Sequence, residues 1–91
     1  MILKRYIYVW PGTRRLFDQE YKVDFVEIMR SSDPFRFYLY TETTRFIIAP
    51  TEKHYPTRWE YEGKFYTMKS NKDVVDFYNL IQTELTLENL A

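Results

Sequence analysis

Residues 35–40 read Phe-Arg-Phe-Tyr-Leu-Tyr, and this alternation leaves the chain few choices. Side chains of a strand point to opposite faces in turn, so Phe35, Phe37 and Leu39 line one surface and Arg36, Tyr38 and Tyr40 the other. One face is wholly apolar and must be covered. The other carries rings with polar tips, suited to a water boundary or to contact with another molecule. The rest of the chain is expected to be arranged around this strand.

Residues 2–10 repeat the split. Leu3, Ile7 and Val9 fall on one side with Arg5 as an exception, while Lys4, Tyr6, Tyr8 and Trp10 share the other. Pro11-Gly12 then suits the central positions of a type II turn. Residues 13–30 admit two readings. Phe17, Tyr21, Phe25 and Ile28 recur at helical spacing, yet residues 21–25 alternate and Val23, Val26 and Ile28 favour a sheet. A strand over 20–29 is the preferred reading, with a helix as the alternative. Ser31-Ser32-Asp33-Pro34 closes a turn, Thr41–Thr44 another, and residues 45–49 form a short strand. Residues 50–57, with two prolines and little periodicity, read as a loop. Residues 58–62 and 64–69 read as a hairpin around Glu62-Gly63, where glycine supplies a positive φ.

Ser70 begins a helix: its hydroxyl suits the cap, and Asp73 favours the positive N-terminal end. Val74, Phe77, Tyr78, Ile81 and Leu85 then fall on one face, leaving Asp76, Asn79, Thr83 and Glu84 to water. The expected architecture is therefore α+β, a mostly antiparallel sheet of five or six strands with one C-terminal helix packed on one face. A chain of 91 residues is expected to form a single domain, 1–91. One helix cannot cover both faces of such a sheet, so one face is left to solvent, to a loop or to a partner.

Composition narrows the function classes. With no cysteine there is no disulfide framework and no thiolate metal site, which leans towards a reducing compartment. The opening Met-Ile-Leu-Lys-Arg is interrupted too soon for the apolar stretch of a signal peptide, and no run approaches a membrane span. A soluble cytoplasmic protein without membrane contact is expected. Formal charge is zero, which argues against a dedicated polyanion binder, although Lys4, Arg5, Arg14 and Arg15 form a local basic run.

Catalytic signatures are lacking. The carboxylates are scattered over charged, turn-rich positions, and Asp24 and Glu27 would share a side only on a helix. His54 has no second histidine or cysteine beside which to bind a metal, and two glycines cannot build a phosphate loop. No enzyme activity, cofactor or metal is expected.

Aromatic residues make up 20% of the chain, more than so small an interior readily hides. Tyr and Trp at a surface are typical of contacts, with Arg among the residues that most often carry binding energy. The expected partner-binding residues are Tyr6, Tyr8, Trp10, Arg36, Tyr38 and Tyr40, brought together if their two strands are neighbours. The preferred reading is a non-enzymatic protein-binding module, self-association into a homo-oligomer included. Small, aromatic-rich, cysteine-free chains of this size suit an inhibitor-type accessory protein of a virus or mobile element that blocks a host protein. The alternative is a single-stranded nucleic-acid-binding domain whose rings stack on bases.

Overall fold

The computed structural model describes residues 1–8, 14–29, 33–51 and 57–90. Its elements in chain order are β1 (Ile2–Tyr8), β2 (Arg15–Ile28), β3 (Phe37–Thr41), β4 (Arg45–Ile48), β5 (Arg58–Tyr61), β6 (Lys64–Thr67) and α1 (Asn71–Leu90). The strands form one sheet in the order β4-β3-β2-β1-β5-β6, with every neighbouring pair antiparallel. The α+β architecture with a single C-terminal helix is the one expected from the sequence.

The organising element differs from expectation. β2, with 14 residues, lies between β1 and β3 and pairs with both, whereas the strand containing Phe37 and Leu39 lies next to the edge. β2 also starts at Arg15, earlier than the strand expected over 20–29, and the helical alternative for this region does not form. The reason is local. The register slips near Asp18 against β1 and near Asp24 against β3, so β2 carries two bulges. Each bulge inserts a residue and resets which face the following side chains occupy. Simple alternation therefore holds only between them.

Bulges increase strand twist, and this sheet is strongly curled. Three strands separate β4 from β5, so at about 4.8 Å per step a flat sheet would hold them about 19 Å apart. Instead the Phe46 and Trp59 rings lie 5.2 Å apart. The amide of Thr51, just past β4, donates to the carbonyl of Met68, just past β6, at 3.0 Å. The hollow side of the curl holds the core.

Helix α1 lies in that hollow. Leu3, Phe37, Leu39, Val74, Phe77 and Ile81 are fully buried, and Tyr21, Val23, Val26, Ile48 and Trp59 nearly so. The Phe77 ring meets Phe37 of β3 at 6.3 Å, Trp59 of β5 at 6.4 Å and Tyr66 of β6 at 5.3 Å. Full burial of each such side chain contributes about 1.5–3 kcal/mol. The apolar helix face read from the sequence is the one used, with Tyr78 and Leu85 packed at its margin. Glu84, expected to face water, is instead half-buried because it accepts a hydrogen bond from the Tyr61 hydroxyl of β5.

The helix start is also as read. The Ser70 hydroxyl accepts from the Asp73 amide at 3.2 Å, and the Asp73 carboxylate accepts from the amides of Ser70 and Lys69, each at 3.1 Å. That reciprocal arrangement satisfies amides at the start of the helix that lack intrahelical acceptors. Arg5, the exception on the apolar side of β1, is accommodated because its guanidinium lies over the Phe46 ring at 5.0 Å and reaches Asp18 at 3.1 Å. No helix among the described residues is long and apolar enough to cross a membrane.

Candidate functional site

The sheet face turned away from α1 is the candidate site. Register fixes its occupants. Tyr6 sits between Phe17 of β2 and Arg58 of β5, Lys4 between Glu20 and Glu60, and Tyr8 opposite Arg15. At the other end Tyr40 sits between Phe25 and Arg45, and Tyr38 between Glu27 and Ile47. The outer side of β2, from Arg15 to Glu27, joins the two ends.

These residues form two ring clusters. In the first, Tyr6 lies 5.6 Å from Phe17 and 5.7 Å from Phe65, and the Arg58 guanidinium lies 5.4 Å from the centre of Phe65. In the second, Phe25 stacks on Tyr40 at 4.2 Å, Tyr38 lies 6.0 Å from Tyr40, and Arg45 covers Tyr38 at 4.6 Å. A charged band runs between them, in which Lys4 reaches Glu60 at 3.9 Å and Lys22 reaches Glu42 at 3.6 Å. Phe17 is 54% exposed, Phe25 and Phe65 50%, and Ile47 57%. Leu16, Ile28, Leu87 and Leu90 are comparably open elsewhere, so what distinguishes this face is that its exposed apolar side chains include three phenylalanine rings set among tyrosines and arginines.

The expected partner-binding residues divide accordingly. Tyr6 and Tyr8 belong to the first end and Tyr38 and Tyr40 to the second, all four on the outer face and half-buried. Their strands are not neighbours, because β2 runs between them, so they form two groups in place of the single platform expected. Arg36 precedes β3 and is half-buried, its Nε enclosed without a hydrogen-bond partner among the described residues. Trp10 lies outside the described residues, as do the Pro11-Gly12 turn, most of the 50–57 loop and His54.

Sequence reasoning missed Phe17, Phe25, Phe65, Arg45 and Arg58. Phe65 was recoverable: a two-residue turn at Glu62-Gly63 pairs it with Glu60, which shares a face with Lys4. Phe17 and Phe25 were concealed by the bulges beside Asp18 and Asp24. A break in alternation next to an aspartate was the available signal.

On the hollow side, a cleft of about 610 Å³ opens beside Arg5, Ile7, Ile48, Trp59 and Met68. Its described lining includes no carboxylate and no histidine. Among the described residues no group of three or more His, Cys, Asp or Glu converges as a metal site would require. Two phenols stand out electrostatically. Burial raises the Tyr61 pKa above the ordinary tyrosine value, helped by its hydrogen bond to Glu84 at 2.9 Å. Burial also raises that of Tyr21, together with the bond it donates to Asp18 at 3.0 Å. Both hydroxyls tie the sheet in place and neither lies on the outer face.

Comparison with protein-family models, curated proteins and solved structures found no match to this chain.

Proposed function

We propose that this protein is a non-enzymatic binding module that engages a partner protein through its outer sheet face. The observation carrying the proposal is the exposure of Phe17, Phe25 and Phe65 beside tyrosines and arginines on the face that α1 leaves uncovered. Aromatic and arginine side chains supply most of the energy at protein interfaces. Ring faces here are already covered by Arg45 and Arg58, and Glu20, Glu27 and Glu60 stand among the cations. That mixture suits a protein surface of both signs better than a phosphate backbone.

A face of this kind fits an accessory protein that blocks its target by covering it, and a cysteine-free chain is suited to the cytoplasm. The test is a Tyr38→Ala/Phe65→Ala double variant, both positions lying outside β2. Affinity capture with mass spectrometry identifies the protein bound by the wild type, and the variant is expected to lose it with little change in melting temperature. Capture unchanged, or a collapse in melting, overturns the proposal. Salt-dependent binding of a labelled single-stranded oligonucleotide, lost in the same variant, replaces it with the nucleic-acid reading.

A further inference from the structure

The outer side of β2 carries, in order, Arg15, Phe17, Glu20, Lys22, Phe25 and Glu27. This row is self-complementary when reversed. Arg15 and Glu27 stand at equal distances along the chain from Tyr21, as do Phe17 and Phe25, and as do Glu20 and Lys22. The two bulged aspartates, Asp18 and Asp24, are equidistant from Tyr21 as well. Their bulges bring Phe17 and Phe25 onto the same face as Glu20 and Lys22, which strict alternation would forbid.

We infer that this row is a homodimer interface: two copies pack outer face to outer face with their β2 strands antiparallel, about a two-fold axis passing over Tyr21. Two-fold symmetry demands that if one residue meets another, the reverse contact also forms. In this arrangement Arg15 meets Glu27 of the second copy, Phe17 meets Phe25, and Glu20 meets Lys22, each contact occurring twice. Every opposed pair is complementary. Lys22 already reaches Glu42 within its own chain at 3.6 Å, but its ammonium has three donors and can serve both carboxylates.

The shape of the molecule points to the same row. The sheet curls towards α1, so its outer face is convex, and β2 lies near the middle of that face, third of six strands. Two convex surfaces touch first along their crests. The chain has zero formal charge, so no net repulsion opposes the approach of a second copy.

The inference rests on the outer face being a contact surface, and its test is chosen to separate it from the proposed hetero-partner. Sedimentation equilibrium on the wild type from micromolar to millimolar concentration is expected to show a monomer–dimer equilibrium. E20K opposes lysine to lysine twice and is expected to weaken dimerisation at least about tenfold, since like charges set opposite one another across an interface cost that much or more. The E20K/K22E double variant re-forms both pairs with signs exchanged and is expected to restore association. R15E and R15E/E27R repeat the experiment at the outer pairs, with thermal melting confirming that all the variants fold. A wild type that stays monomeric throughout, or a dimer indifferent to these reversals, overturns the inference. Partner capture through Tyr38 and Phe65 is read separately, so either result can fail without the other.

Discussion

Tyr61 shows how one hydroxyl ties the helix to the sheet. Its ring packs against the core from the end of β5, and its phenol donates to Glu84 of α1 at 2.9 Å. Burial and the nearby carboxylate both disfavour the phenolate, so the pKa is higher in the folded state than in the unfolded chain, where it is about 10. A raised folded-state pKa stabilises the fold fully below the unfolded value, and that contribution is lost as pH rises through the folded one. Resistance to urea is therefore expected to fall above about pH 10, with Tyr21 acting in the same direction. Tyr61→Phe should be about 1 kcal/mol less stable at neutral pH through the lost hydrogen bond. Its stability should also fall less steeply above pH 10 than that of the wild type. An identical alkaline slope in the two proteins would refute this account.

Among the elements, the β5–β6 hairpin shows what sequence does and does not disclose. Glu62-Gly63 was legible as its turn, and glycine was expected to supply positive φ; the structure has φ of 83° at Gly63 and also 50° at Glu62. That is the pattern of a type I′ turn, whose first position favours Asn, Asp or Gly. Glutamate there is strained by its Cβ, so Glu62→Gly is expected to raise stability by about 0.5–1 kcal/mol in chemical denaturation. No gain, or a loss, would show that the strain is offset elsewhere. The helix was legible because the apolar period from Val74 to Leu85 and the Ser70–Asp73 cap agree with one another. β3 was legible because Phe37 to Tyr40 alternates without interruption. β2 was only half legible, since each bulge shifts the period by one residue and mimics helical spacing across Phe17, Tyr21 and Phe25. The same slips concealed the candidate site. Tyr6, Tyr8, Tyr38 and Tyr40 could be assigned to outward faces, but their grouping depends on strand order, which no local pattern encodes.

At the scale of the whole molecule, stability depends on holding the two wings of a curled sheet together. Phe77 meets rings on β3, β5 and β6 and is fully buried. Phe77→Ala is expected to cost about 3–5 kcal/mol, a large share of the roughly 5–15 kcal/mol that a domain has in total. Its urea midpoint should fall accordingly, and a change below about 1 kcal/mol would mean the hollow closes around the gap. Because the sheet bends towards its helix, the side turned away from α1 is a ridge, hollowed at one end by a recess of about 290 Å³ beside Tyr6, Arg15, Arg58 and Phe65. Along the rest of the ridge a visitor must bring its own hollow or settle for a narrow line of touch, and small footprints release quickly. Encounters on this surface are thus suited to rapid exchange, and a lasting grip requires a partner shaped to cup the ridge.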